Sequence, residues 1–377
     1  MRKSLYALVA AGLMTSVTLT ACDGGATDGA TGSDNATQGA SSAKVTGTDG
    51  IAVILPDTTS STRWVNDDPK YLQAEFEKAG VPSQIFNAEG DEEEFKRIAR
   101  TALDKGFKVL VIANLSAASG KAVIQDAKSH GVPVIDYDRL TLNGAADYYV
   151  SFDNQEVGAL QAQGLLSCLK AKGVKTPLIA ELNGSPADNN AYLFKEGYDA
   201  VLNASFDDAS AVKGPDQFVP GWDEDNAREI FELMIKQYPN IDGVLAANDG
   251  LGNAAIEVLT KKGRNGKVPV TGQDATIQGL QNILSGDQCM TVYKNTRQEA
   301  EAAAKLAIGL YQKDKQATTV TDKIKDPESG LNIPFVRLEP KAINRVNIKS
   351  IVEVGYVDKE TLCTAEYRKA CQNAGIN

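Results

Sequence analysis

Ile51-Ala52-Val53-Ile54-Leu55-Pro56-Asp57-Thr58-Thr59-Ser60-Ser61 sets five consecutive apolar residues against a polar, turn-rich loop. A strand with one face in water alternates apolar and polar side chains. A continuous apolar run is what a strand covered on both faces requires, and such strands belong to parallel sheets flanked by helices. The flanking sequence agrees. Tyr71, Leu72, Phe76 and Ala79 form a helical stripe ended by Gly80, and Val81 to Phe86 reads as the next strand. A helix around Phe95, Ile98, Ala99 and Leu103 ends at Gly106. Lys108 to Ile112, a helix at Ala122 to Lys128 and Val132 to Ile135 continue the rhythm. It restarts after residue 153, with strands expected at Leu178 to Ala180, Gly243 to Ala246, Val268 to Val270 and Met290 to Tyr293, and helices near 155–171, 190–202, 224–237, 251–262 and 276–284. The fold class is α/β, as two similar lobes, each a parallel sheet flanked by helices. Ligands of such sheets bind outside the strand C-termini, which places a cleft between the lobes.

The N-terminus bears on the compartment. Arg2 and Lys3 precede a mostly apolar stretch from Leu5 to Val17, too short to span a bilayer, which ends in Leu19-Thr20-Ala21-Cys22. Residues 1–21 are expected to be a lipoprotein signal peptide, with Cys22 receiving the lipid; the simpler alternative is an ordinary secretory leader cut near Ala21. Either way the chain is exported. Asp23 to Thr48 is mostly Gly, Ala, Ser, Thr, Asp and Asn, without an aromatic residue. It cannot bury enough apolar surface to offset chain entropy, so 22–48 is expected to be a disordered tether spanning about 28 Å. The expected location is thus the outer face of the cytoplasmic membrane, touched through the lipid only, or the periplasm.

Residues 49–377 are about two domains' worth of chain. Without the leader, 37 basic and 49 acidic side chains leave a formal charge of −12. An acidic body with no basic stripe argues against nucleic acid. Among five cysteines, Cys363 and Cys371 lie close enough in sequence for a local disulfide, whereas for Cys168 and Cys289 buried thiols and a disulfide both stay open. The single histidine, His130, reads as a helix-end cap, so histidine-rich metal sites are excluded and no metal is expected. The loop after the first strand carries no glycine-rich dinucleotide fingerprint. No phosphate-binding loop with Gly-Lys-Ser/Thr and no Gly-x-Ser-x-Gly elbow occurs.

The chain has two tryptophans, Trp64 and Trp222, both in polar, turn-rich segments and one in each lobe. Facing each other across a cleft, they would stack on the C–H faces of a pyranose; the alternative is two unrelated, partly buried surface residues. Polar groups recur where strands run into helices: Asp138 and Arg139, then Asp188 with Asn189 and Asn190, then Asn248 and Asp249, then Gln273 and Asp274, with Lys294 after the last strand. Such side chains make paired hydrogen bonds to vicinal hydroxyls, although each alone reads equally as a cap or a surface ion pair.

Ser61-Thr62-Arg63-Trp64, Ile135-Asp136-Tyr137-Asp138-Arg139, Val150-Ser151-Phe152-Asp153-Asn154, Gly184 to Asn190, Gly272-Gln273-Asp274-Ala275 and Met290 to Lys294 together resemble the periplasmic binding proteins of ABC monosaccharide importers, in particular the D-xylose-binding and multiple-sugar-binding branch. The resemblance spans about residues 50–357. It implies a type I fold with a three-strand hinge crossing near 151–154, 290–294 and 328–336. The first lobe is then 49–153 plus 292–328, and the second 154–291 plus 329–377. It implies that Arg63, Trp64 and Arg139 act from one lobe, and Asn190, Trp222, Asn248 and Asp274 from the other, with Lys294 at the crossover. It further implies a monomer that binds a free monosaccharide without cofactor or chemistry and delivers it to a permease driven by a separate ATPase subunit. Rival readings are a receptor-linked sugar sensor, the effector core of a sugar-responsive repressor, and an exported sugar-active enzyme. The repressor would need a DNA-binding helix-turn-helix where this chain has its leader; the enzyme would need a carboxylate pair such as Asp249 and Asp274.

Overall fold

The computed structural model describes residues 46–377. The expected leader, Cys22 and the tether as far as residue 45 lie outside the described residues. The last tether positions belong to the body: the Thr46 and Gly47 amides both donate to Gln84 Oε1, at 3.0 and 3.2 Å.

The first half runs β1 (Ile51–Leu55), α1 (Arg63–Asn66), α2 (Asp68–Lys78), β2 (Ser83–Asn87), α3 (Glu92–Asp104), β3 (Val109–Ile112), α4 (Ala117–Ser129), β4 (Val134–Tyr137) and β5 (Tyr148–Phe152). The second continues with α5 (Asn154–Ala171), β6 (Leu178–Asn183), α6 (Asn189–Asp207), β7 (Val212–Phe218), α7 (Glu224–Gln237), β8 (Gly243–Ala246), α8 (Asp249–Lys261), α9 (Ile277–Ser285) and β9 (Met290–Tyr293). The chain then returns through α10 (Thr296–Gln312), β10 (Lys323–Lys325) and β11 (Asn332–Leu338). It finishes with β12 (Lys341–Asn344), α11 (Lys349–Glu353), α12 (Lys359–Leu362) and α13 (Arg368–Asn373).

One sheet has the order β10-β11-β5-β4-β3-β1-β2, parallel except for the β10–β11 edge. The continuous apolar run of β1 is explained by its two faces. Ile51, Val53 and Leu55 pack with α2 and α10, while Ala52 and Ile54 pack with α3 and α4. The second lobe holds the parallel sheet β7-β6-β8 and the antiparallel pair β12-β9. The expected strand at Val268–Val270 is reduced to one bridge, between Val244 and Val270. Pro269 has no N–H to donate, so a full ladder cannot form there. β7 was not anticipated: its residues are largely exposed or half-buried and offer no apolar run.

Two expected boundaries move. β9 pairs with β12, which keeps Val292 and Tyr293 in the second lobe. β11 pairs with β5, which puts residues 329–338 in the first sheet, so the third crossing falls between Leu338 and Lys341 rather than near 328–336. Cys168 and Cys289 are not thiols. They form a disulfide across a sequence separation of 121, tying α5 to the segment entering β9, and Cys363 is bonded to Cys371. His130 caps the C-terminus of α4 and its Nδ1 lies 2.8 Å from the Asp126 carbonyl. Among the described residues no helix is long and apolar enough to cross a membrane.

Candidate functional site

The C-terminal ends of the two parallel sheets meet around a shared cavity. From the first lobe, Ser60 and Ser61 of the β1–α1 loop, Arg63 and Trp64 of α1, and Asp138 and Arg139 after β4 line it. The second lobe brings Asp188, Asn190, Phe194, Trp222, Asn248, Gln273 and Asp274, and Lys294 enters from the crossing after β9.

Each side chain is held by a local device. Asp57 folds the β1–α1 loop: its carboxylate accepts from the Thr59 and Ser60 amides and the Ser60 hydroxyl at 2.7–2.9 Å. Ser60 Oγ then accepts from Trp64 Nε1 and Arg139 Nη2, both at 3.2 Å. Trp222 lies directly over Gly184, where a Cβ would stand 2.0 Å from the indole. Its Nε1 donates to Asp188 Oδ2 at 3.1 Å. With both indole N–H groups already bonded to protein oxygens, what the tryptophans add to the cavity is apolar ring surface. In the second lobe the Gln161 amide of α5 donates to the carbonyls of Ala246, Ala247 and Gly272 at 3.0–3.2 Å. It thereby sets the chain just before Asn248 and Gln273.

The electrostatics centre on buried Arg63. Its guanidinium pairs with Asp68 at 2.7 Å, Glu299 at 2.6 Å and Asp138 at 3.0 Å, and lies 4.4 Å from the Trp64 ring centre. Lys294 Nζ meets Asp138 Oδ1 at 3.0 Å. Burial alone would raise the Asp138 carboxyl, but Lys294, Arg63 and Arg139 outweigh it and lower the group to about 2. The Asp274 carboxyl is raised by burial, against the pull of Lys294 and Arg63. Asp138, Trp222 and Asp274 have φ of 62°, 57° and 100°, a region that non-glycine residues occupy at a cost of about 1–3 kcal/mol each. Three of the positive-φ side-chain-bearing residues thus lie around this one cavity.

Contacts join the lobes across the cavity. Arg139 Nε lies 3.1 Å from Asp188 Oδ2, and Asn190 Nδ2 donates to the Asp138 carbonyl at 3.0 Å. Ser61 Oγ donates to Asp274 Oδ2 at 3.2 Å. Gln273 Nε2 donates to Asp274 Oδ1, while Gln273 Oε1, buried at the cavity, finds no hydrogen-bond partner among the described residues.

The structure thus gathers Arg63, Trp64, Asp138, Arg139, Asn190, Trp222, Asn248, Asp274 and Lys294, and leaves two expected residues outside. Asn189 is half-buried beyond the cavity; one position from Asn190 on a helix, it points about 100° away. Asp249 is sequestered in the second lobe. Its oxygens accept from Gln288, Thr291 and the Thr276 amide at 2.8 Å, and burial raises its carboxyl to about 7. Asp188 and Gln273, noted with the polar groups at the strand ends, also line the cavity, whereas Ser60, Ser61 and Phe194 were not among the expected ligands. Phe194 was detectable as the residue four positions after Asn190, on the same helix face.

The family described as periplasmic binding protein domain matches residues 51–315. The D-xylose-binding periplasmic protein of Escherichia coli (strain K12) is 35% identical over 293 residues, 77% of this chain and 85% of its own. The multiple sugar-binding periplasmic receptor ChvE of Rhizobium radiobacter is 33% identical over 333 residues, covering 84% of this chain and 92% of its own. Among solved structures, an ABC transporter solute-binding protein from Clostridium phytofermentans with bound β-D-glucose superposes with a TM-score of 0.75 at 28% identity, over 83% of this chain and 99% of that one. Similarity of this extent runs through both helix-covered parallel sheets and the crossings between them, and the chain belongs to the periplasmic binding protein family, with its type I fold.

Proposed function

We propose that the protein is an exported, lipid-tethered receptor that captures a free monosaccharide between its lobes and delivers it to an ABC permease energised by a separate ATPase. The observation that carries the reading is the make-up of the cavity: one tryptophan from each lobe supplies apolar surface, and Asp138, Arg139, Asn190, Asn248, Asp274 and Lys294 supply polar groups from both sides. Flat C–H faces and projecting hydroxyls are the two surfaces a pyranose presents. The D-xylose, multiple-sugar and glucose ligands in the names of the relatives support the same class.

Sugar bound by both lobes stabilises the closed arrangement relative to the open one, and the closed arrangement is the form offered to the permease. No covalent step is assigned, and Asp249, one of the carboxylates an enzyme reading would use, is turned away from the cavity. The test is isothermal titration with xylose, fructose, ribose, glucose, galactose and arabinose, followed by mass spectrometry of the recovered sugars. We expect saturable 1:1 binding of at least one, recovered unchanged. Failure of all six to bind sinks the receptor reading, and turnover of any of them or of its glycosides restores the enzyme.

A further inference from the structure

The C-terminal segment after β12 is the part of the chain that the receptor reading leaves without a task. It docks on the second lobe: Ile348, Ile351, Val357, Leu362, Cys371 and Ile376 pack against Leu280, Ile283 and Leu284 of α9. The Cys363–Cys371 disulfide closes its last turns, and Gln281 of α9 donates to the Leu362 carbonyl at 3.3 Å. This mount holds one polar group against the binding site. The Tyr356 hydroxyl donates to the Asp274 carbonyl at 3.0 Å, and its ring lies edge-on to Tyr293, with centres 4.7 Å apart. Tyr293 immediately precedes Lys294, so Tyr356 touches the chain beside one cavity residue and the backbone of another.

The position matters because of the conformation at Asp274. Its φ of 100° is followed by 52° at Ala275, two successive left-handed values on side-chain-bearing residues. Such a kink persists only where surrounding bonds hold it. The Asp274 amide donates to the Val292 carbonyl at 2.9 Å, and the Ala275 amide to Thr291 Oγ1 at 3.2 Å. Those bonds fix the N–H side, and Tyr356 fixes the Asp274 carbonyl. The kink in turn aims the Asp274 carboxylate at Ser61 of the opposite lobe.

We propose that Tyr356 is a positioning residue for ligand binding: the C-terminal segment holds its hydroxyl on the Asp274 carbonyl, and this keeps the Asp274 carboxylate aimed into the cleft. The inference rests on the receptor reading. The test is sugar titration and thermal unfolding of the full chain for wild type, Tyr356→Phe, Asp274→Asn and the double variant. Ile241→Val, a core truncation before β8 at the opposite end of the second sheet, serves as a stability control. Loss of one hydrogen bond that orders a ligating group should weaken affinity about three- to tenfold in Tyr356→Phe. It should cost nothing further in the Asp274→Asn background, and Ile241→Val should lower the melting temperature with affinity unchanged. Wild-type affinity in Tyr356→Phe overturns the proposal. So does an equal loss in both backgrounds, or a loss in Ile241→Val that matches its change in melting temperature. If the wild-type chain binds none of the sugars, the receptor reading falls, and this inference with it; sugar binding that is indifferent to Tyr356 removes this inference alone.

Discussion

Asp138 is bonded to Arg63, Lys294 and Asn190 at once. Its folded-state carboxyl is lowered to about 2 from an ordinary 3.8. The ionised form therefore stabilises the fold above about pH 4, and that contribution is lost as pH falls toward 2. Asp138→Asn removes the carboxylate paired with buried Lys294, while Arg63 keeps Asp68 and Glu299, and is expected to cost about 3–5 kcal/mol near neutrality, with the gap to wild type narrowing below pH 4. Denaturant melts across that range measure it, and a gap that widens in acid would show the sign to be wrong. Trp64→Ala and Trp222→Ala should each weaken sugar binding by about 2–4 kcal/mol, the cost of truncating an anchor. Because these are the only two indoles, intrinsic fluorescence should also change on binding; normal affinity in both folded variants would remove the stacking model. At this scale the sequence revealed residue type and loop position. It could not distinguish Asn190 from Asn189, since one residue of helical rotation separates a cavity side chain from an outer one. Nor could it show that Asp249 is drawn inward by Gln288 and Thr291, donors 39 and 42 positions away.

At the scale of elements, α5 and α6 cross almost backbone to backbone. A Cβ at Gly158 would stand 1.9 Å from the Phe194 carbonyl oxygen, and one at Gly197 would stand 2.0 Å from that of Gln155. The contact sets α6, which carries Asn190 and Phe194 into the cavity. Gly158→Ala should destabilise the fold by about 1–3 kcal/mol and weaken sugar binding through displaced α6, although it touches no ligand. Titration and melts of one preparation test both, and unchanged affinity would show that α6 is placed by other contacts. The Cys168–Cys289 disulfide ties α5 to the entry of β9. Replacing both cysteines by serine should cost about 2–5 kcal/mol, read as a lower melting temperature. Periodicity located α5, α7 and α9 to within a residue or two. It missed β7, whose residues are too exposed to make an apolar run, and overstated Val268–Val270, where Pro269 interrupts the ladder.

For the whole molecule, contacts of Arg139 with Asp188, Asp138 with Asn190 and Ser61 with Asp274 bridge the lobes. Such contacts belong to a closed cleft, so small-angle scattering should show a more compact particle with sugar than without. With Cys22 as the proposed lipid anchor, Cys22→Ser should abolish lipid labelling and release the body from membranes. Unchanged detergent partitioning of that variant would refute the anchor. What the sequence by itself determined is whatever local patterning encodes: the two-lobe parallel α/β class, because apolar runs and helical stripes are short-range signals, and the loops at strand ends where ligands gather. The tertiary structure alone decided that Cys168 meets Cys289, that β11 joins the first sheet, that the C-terminal segment reaches Asp274, and which side of each loop faces the cleft. Those are pairings between residues far apart in the chain, and they are set by how the folded elements pack together rather than by any pattern within one of them.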